Sequence, residues 1–113
     1  MSQYSATLYV LNNSGESLQG SIVHTSGNGD NKLSDTISVN NLANGQMSSP
    51  LTLQVRSNHD DYYLGDSLVV DGKSRNLKIQ RNVHKEGSDV FLIINQKGGV
   101  VVTQDNGWKT DTF

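Results

Sequence analysis

The stretch SATLYVL, residues 5–11, decides the fold class of this chain. Its apolar residues Ala6, Leu8 and Val10 alternate with more polar ones, which is the period of two that a half-buried β-strand requires. The same alternation returns in LTLQVR, residues 51–56, and in NLKIQ near the middle of the chain. No segment places apolar residues at helical spacing over ten or more positions. The pattern therefore predicts an all-β protein.

Turn signals separate these apolar runs. Asn-Gly and Asp-Gly supply the positive φ that tight hairpin turns need, and such signals occur at Asn13-Ser14-Gly15, Asn44-Gly45, Asp71-Gly72, Gly98-Gly99 and Asn106-Gly107. The runs VFLIIN and VVVT are nearly continuous, which is typical of central strands covered on both faces. We predict about eight strands, near residues 5–11, 19–25, 35–40, 51–57, 62–70, 75–82, 89–95 and 99–104.

The tertiary arrangement follows from the absence of helices between the strands. Strands joined by short turns pair antiparallel, and a single sheet of this size would leave one apolar face in water. Two sheets must therefore close on each other. We predict one antiparallel β-sandwich domain that spans residues 1–113.

Composition excludes several classes of function. The chain has no cysteine, so it can form neither disulfides nor a thiolate metal site. Its net charge is −2, and the basic residues are scattered, which disfavours a nucleic-acid binder. The N-terminal residues do not resemble a signal peptide, and no apolar run is long enough to span a membrane. We expect a soluble protein that is cytoplasmic or exported without a conventional leader.

Polar and aromatic residues gather in SNHDDYYLGDS, residues 57–67, but they do not form a recognisable catalytic pattern. No G-x-S-x-G elbow exposes a serine nucleophile. The two glutamates, Glu16 and Glu86, both lie in predicted turns. Asp60 and Asp61 are adjacent, so in a strand they face opposite sides and cannot act as a pair. The sequence predicts a protein that is not an enzyme.

The sequence also lacks a complete pattern of metal-ligating residues. The three histidines are isolated from one another, whereas zinc sites use converging and often paired ligands. Calcium is the one exception worth testing, because Asn58, Asp60 and Asp61 offer oxygen ligands at the mouth of a strand. We expect no bound metal or cofactor.

Because the sequence favours neither catalysis nor metal binding, it favours a protein that recognises a ligand. Carboxylates accept sugar hydroxyls while an aromatic ring covers the apolar face of the sugar. Tyr62 and Tyr63 point to opposite faces of their strand, so one should be buried and the other exposed. Trp108 follows the last clear strand, in the C-terminal tail. The predicted ligand-binding residues are His59, Asp60, Asp61, Tyr62, Tyr63 and Trp108.

Four stretches resemble a small domain family named for its up-regulation in long-lived nematode insulin-receptor mutants. They are LYVLNNSGESLQGSIVH (8–24), NNLANGQMSSPLTLQV (40–55), the strand from Asp61-Tyr62-Tyr63 to Asp71-Gly72-Lys73, and VFLIINQKGGVVV (90–102). The resemblance implies a β-sandwich similar to the aegerolysins, which bind membrane lipids and recruit pore-forming partners. It implies no catalytic residues.

Two classes of function follow. The first is a lectin-like module that binds a glycan through neutral polar loops, and the second is an aegerolysin-like protein that binds a lipid head group at a membrane surface. A structural or stress-related protein without a small ligand is the third alternative. Composition favours the glycan, because a lipid-binding face needs several exposed aromatics or a basic patch. Since binding to one sugar is weak, we expect a homo-oligomer that multiplies avidity.

Overall fold

The computed structural model describes residues 3–27, 33–56, 60–64, 77–80, 87–104 and 107–112. These residues form β-strands throughout, apart from turns and one short 3₁₀ turn at Gln96–Gly98. The all-β prediction is confirmed. The strands are β1 (Gln3–Asn13), β2 (Leu18–Ser26), β3 (Leu33–Leu42), β4 (Leu51–Arg56), β5 (Asp60–Leu64), β6 (Leu77–Gln80), β7 (Asp89–Asn95), β8 (Gly99–Gln104) and β9 (Gly107–Thr112).

The strands form two sheets. Sheet A has the order β4-β1-β7-β8-β9, and sheet B has the order β3-β2-β5-β6. The prediction that all pairs are antiparallel is wrong for β1 and β7, which pair in parallel. Parallel neighbours require a long crossover. Here the whole of sheet B and strand β4 lie between β1 and β7 in the chain, which allows both to enter sheet A in the same direction.

The two sheets share one hydrophobic core. Strands β1, β2, β3, β4, β7 and β8 contribute residues from one face, as a half-buried pleat requires, and β5 contributes Tyr62. Tyr62 is the largest of the fully buried side chains. The core residues are Ala6, Leu8, Val10, Leu18, Ile22, Ile37, Val39, Leu53, Val55, Tyr62, Val90, Leu92, Ile94, Val100 and Val102.

The prediction that VFLIIN and VVVT are covered on both faces is wrong. In β7, Val90 and Leu92 are fully buried, but Phe91 and Ile93 between them are only partly buried. Phe91 stacks on Tyr9 of the neighbouring strand, with ring centroids 5.2 Å apart. The face of sheet A opposite the core therefore carries partly exposed apolar side chains. We call it the outer face of sheet A, and it comprises Tyr9, Leu11, Phe91, Ile93 and Val101.

Strand β9 is absent from the sequence-based prediction. Trp108 was expected in a tail outside the last strand, but it lies in β9, opposite Thr103 of β8. The segment Gly107–Thr112 is mostly polar, so its hydrophobic pattern is weak. At the edge of a sheet, backbone pairing on one side is enough to hold such a strand. With β9 the described residues contain nine strands, and the number of about eight is not confirmed.

Most turn predictions that fall on described residues are confirmed. Gly15 and Gly45 adopt φ of +91° and +85°, a region that suits glycine. The Gln46 N–H closes the Asn44-Gly45 turn on the Ala43 carbonyl at 3.0 Å. Strands β5 and β6 pair antiparallel as expected of a hairpin, while their Asp71-Gly72 turn and the predicted strand ends at 65–70, 75–76 and 81–82 lie outside the described residues. Within the described ranges no helix has the length and apolarity needed to cross a bilayer.

Candidate functional site

A buried histidine lies between two carboxylates in sheet B. His24 of β2 is opposite Asp35 of β3 and opposite Tyr62 of β5 in the strand register. Its Nε2 lies 2.9 Å from Oδ1 of Asp60, and its Nδ1 lies 3.4 Å from Oδ2 of Asp35. The side chains of His24 and Asp60 are fully buried, whereas that of Asp35 is one quarter exposed. We call these three residues the His24 cluster.

The His24 cluster is held together by contacts between the imidazole ring and two carboxylates. An ionised carboxylate can only accept hydrogen bonds, and only an imidazolium has two N–H donors. Each ring nitrogen of His24 faces one carboxylate, so an imidazolium would donate to both Asp35 and Asp60, whereas a neutral ring would donate to one of them. The arrangement holds strands together.

The same cluster links the two sheets. Asp35 Oδ2 also accepts the backbone N–H of Gln54 at 2.9 Å, and Gln54 belongs to β4, the edge strand of sheet A. Asp60, His24, Asp35 and Gln54 thus connect four strands in a row. Because β3 and β4 are both edge strands, this contact closes one end of the seam where the sheet edges meet.

Tyr62 lies beneath the His24 cluster in the core. Its ring packs against His24 with centroids 5.0 Å apart and planes tilted by 35°. Its hydroxyl is buried, and among the described residues it has no hydrogen-bond partner. Burial raises the pKa of the Tyr62 hydroxyl, and the negative charge of Asp60 raises it further.

Tyr62→Phe is expected to raise the free energy of unfolding by about 1 kcal/mol, because it removes a buried hydroxyl that has no hydrogen-bond partner among the described residues. It should also reduce the loss of stability in alkali. Below pH 10, the ordinary tyrosine pKa, the hydroxyl is protonated in both states. Above it the unfolded chain releases the proton and the folded chain keeps it, which costs up to about 1.4 kcal/mol per pH unit.

Urea unfolding of the two proteins at pH 8 and pH 11 measures both effects. The partly buried neighbour Tyr63 supplies the control, and Tyr63→Phe should leave the alkaline loss unchanged. An alkaline loss that is equally steep in Tyr62→Phe would contradict the prediction.

The predicted ligand-binding residues are distributed differently from the sequence-based picture. Tyr62 is buried, as predicted for one of the two tyrosines, but Tyr63 is half-buried and not exposed. Asp60 and Asp61 are 0% and 2% exposed, so neither carboxylate lies at the surface beside Tyr63. Their side chains lie on opposite faces of β5, and neither reaches solvent in this state. Their role in binding a ligand stays a prediction.

Of the two remaining predicted residues, the structure describes the strand position of Trp108. Trp108 lies in β9 of sheet A, whereas Asp60 lies in sheet B. His59 and the calcium candidate Asn58 lie outside the described residues. The structure therefore brings together Asp60 and Tyr62, and it adds His24 and Asp35, which the sequence-based reasoning did not select. The sequence did contain a sign of both residues. Each is a polar residue at a position where the alternation along its strand calls for a core-facing side chain.

The described part of the chain contains no group of three or more His, Cys, Asp or Glu residues that could hold a metal ion. The calcium hypothesis on Asn58, Asp60 and Asp61 stays a prediction, as does the expectation of no metal. Thermal melts with calcium and with a chelator should coincide. A functional site would stabilise the folded state by about 2.7 kcal/mol at a hundredfold excess over Kd, so a shift of several degrees would overturn the expectation.

A groove of about 280 Å³ opens at the other end of the seam between β3 and β4. From β3 it is lined by Ser38, Val39, Asn40 and Leu42. From the segment that leads into β4 it is lined by Ser48, Ser49 and Leu51. Its aliphatic residues Val39, Leu42 and Leu51 are buried or half-buried, and we call them its floor; its polar residues, most of which are exposed, we call its rim. We call this the seam groove.

The polar side chains at the rim of the seam groove differ in whether they already make hydrogen bonds. The Ser48 hydroxyl accepts the N–H of Val10 at 2.9 Å and donates to the Ser49 carbonyl at 3.1 Å. Ser38, Asn40 and Ser49 are exposed, and their side chains make no hydrogen bond within the described residues. Three neutral polar side chains are thus available to a ligand.

A β-bulge shapes the end of β3 beside the groove. Leu18 is opposite Leu42 and Gly20 is opposite Val39, so β3 has one residue more than β2 in this interval. Within this interval Asn41 takes φ of +49°, the left-handed region. Bulges bend the strand and end regular pairing, and they are frequent at sheet edges and beside sites.

Comparison of the chain with protein-family models, with curated proteins and with solved structures gave no match.

Proposed function

We propose that the two sheets form a β-sandwich whose seam groove binds a glycan, so that the protein is a lectin-like, non-catalytic recognition module. The observation that carries this proposal is the set of neutral polar side chains, without hydrogen-bond partners among the described residues, beside aliphatic residues of the same groove. Hydroxyl and amide groups exchange hydrogen bonds with sugar hydroxyls, and the aliphatic floor accepts C–H groups. Small-ligand sites combine these elements.

The test is binding to a glycan array, followed by titration with the sugar that binds. The double replacement Ser38→Ala with Asn40→Ala should weaken binding by about five- to 150-fold, because it removes two hydrogen-bonding groups worth about 0.5–1.5 kcal/mol each. Thr36→Ala is the matched control, since Thr36 is exposed on the same strand and does not line the groove. If the double variant binds the sugar with the same affinity as the unchanged protein, the seam groove is not the site.

Weak binding to one sugar explains why several copies are expected. A shallow site has millimolar affinity, about 4 kcal/mol, and a homo-oligomer multiplies it on a surface that carries many glycans. The proposed partner is therefore a cell-surface glycan bound by more than one copy of the chain.

The outer face of sheet A supports a second proposal, binding to a lipid surface. Tyr9, Phe91 and Ile93 form a partly exposed apolar patch, and Met47, paired with Leu11 beside this patch, is 49% exposed. Apolar side chains of this kind insert into the interface of a bilayer. The function implied by the resemblance to the aegerolysins is of the same class, and membership in that family is also a proposal.

Vesicle sedimentation separates the two proposals. If the lipid proposal is correct, neutral phosphatidylcholine or sphingomyelin vesicles bind the protein and Ile93→Ser abolishes that binding, while Ser38→Ala with Asn40→Ala has no effect. The glycan proposal predicts the opposite sensitivity, with binding to a sugar that Ile93→Ser does not change.

A further inference from the structure

The seam groove lies at a strand edge. Successive side chains of a strand point to opposite faces, yet Ser38, Val39 and Asn40 all line the groove. A pocket that touches three consecutive residues must lie along the edge of the strand, where the backbone itself is exposed. The groove therefore offers main-chain groups to a ligand as well as side chains.

The backbone of β3 at this edge has groups available for pairing. Strand β3 is the edge of sheet B, and among the described strands its one pairing partner is β2. Within the described residues, no backbone hydrogen bond outside the sheet is made by Ser38, Val39 or Asn40. An edge strand presents N–H and C=O groups in a row, and an acetamido group carries the same N–H and C=O as a peptide. Such a group can pair with the edge as a short strand would.

The aliphatic floor of the groove and the charge of the segment around it limit the class of sugar that fits. Val39, Leu42 and Leu51 provide an aliphatic floor for a methyl group. Residues 33–55 contain no Lys or Arg, and their one acidic residue, Asp35, already accepts the N–H of Gln54. The segment that builds the groove therefore has no cation to neutralise an acidic sugar. A volume near the lower limit of about 300–1,000 Å³ for ligand pockets suits a single sugar unit.

We infer that the seam groove recognises a neutral N-acetylhexosamine, with the acetamido group against the edge of β3 and its methyl on the aliphatic floor. This inference rests on the proposed glycan-binding function. It names the chemical class of the sugar and the feature by which the groove distinguishes it from other sugars.

The experiment is an NMR titration of the ¹⁵N-labelled protein with four sugars: N-acetylglucosamine, N-acetylgalactosamine, glucose and N-acetylneuraminic acid. The expected result is that at least one of the two N-acetylhexosamines shifts the amide signals of residues 38–42. It should bind at least tenfold more tightly than glucose, which has no acetamido group. N-acetylneuraminic acid should also bind at least tenfold more weakly than that N-acetylhexosamine, because its carboxylate meets no cation in this segment.

Each other outcome has a definite meaning. If glucose and the N-acetylhexosamines bind equally at the groove, the acetamido inference is wrong and the glycan function stands. If no sugar shifts residues 38–42 at 50 mM, about ten times a millimolar Kd or more, both are wrong. Tight binding of N-acetylneuraminic acid would overturn the neutral preference. Ser38→Ala with Asn40→Ala should weaken every sugar that binds, and Thr36→Ala should weaken none.

Discussion

Asp60→Ala is expected to lower the free energy of unfolding by about 3–5 kcal/mol, the usual cost of removing one partner of a buried ion pair. The replacement leaves the Nε2 N–H of His24 without its acceptor in a fully buried place. Total stabilities of domains are about 5–15 kcal/mol, so this one change removes a large fraction. Urea denaturation followed by Trp108 fluorescence or by circular dichroism measures the loss.

Asp60→Asn separates the charge from the hydrogen bond. A neutral His24 can donate from Nδ1 to Asp35 and accept the Asn amide through Nε2, so Asp60→Asn should cost clearly less than Asp60→Ala. Asp89, an exposed carboxylate on β7, supplies the surface control, and Asp89→Asn should change stability by no more than about 0.5 kcal/mol. A loss below about 1 kcal/mol in Asp60→Ala would mean that the His24 cluster does not hold the strands together.

The burial of Asp60 and Asp61 also changes how binding data on these residues must be interpreted. Loss of binding in a protein with Asp60→Ala and Asp61→Ala would follow from partial unfolding, whether or not the two residues contact a ligand. Variants of the seam groove do not share this problem, because Ser38 and Asn40 are exposed. Binding assays on Asp60 variants therefore need a parallel measurement of the folded fraction.

Asn12→Ala is expected to lower the free energy of unfolding by about 2–4 kcal/mol, because the fully buried Asn12 side chain makes four hydrogen bonds worth about 0.5–1.5 kcal/mol each. Its Nδ2 donates to the carbonyls of Glu16 at 2.6 Å and Leu42 at 2.7 Å. Its Oδ1 accepts the N–H and the hydroxyl of Ser14 at 2.9 Å and 2.6 Å. The side chain therefore joins the β1–β2 turn to the end of β3.

The adjacent Asn13 provides a matched control for that measurement. Its exposed side chain makes one hydrogen bond, from Nδ2 to Oδ1 of Asn95 at 2.8 Å, so Asn13→Ala should cost about 0.5 kcal/mol or less. Chemical denaturation of both variants tests the contrast. Equal losses in the two variants would show that the buried hydrogen bonds of Asn12 do not carry the stability of this turn.

Local physics explains why the sequence alone determined most of the strands. Side chains alternate along a strand whatever its partner, so Ala6, Leu8 and Val10 indicate a buried face without knowledge of the neighbouring strand. Positive φ is a property of single residues, which is why Asn44-Gly45 identifies a turn. The burial of Tyr62, with its neighbour Tyr63 half-buried, follows from the same alternation.

Only the tertiary structure decided which strands pair and where the polar groups lie. Backbone pairing holds β9 at the edge of sheet A, although the polar composition of that segment gave no sign of it. The parallel pairing of β1 with β7 depends on the long crossover through sheet B. His24, Asp35 and Asp60 meet because three strands align in one register, and the seam groove exists because two sheet edges are adjacent. These contacts join residues far apart in the chain, and no local pattern encodes them.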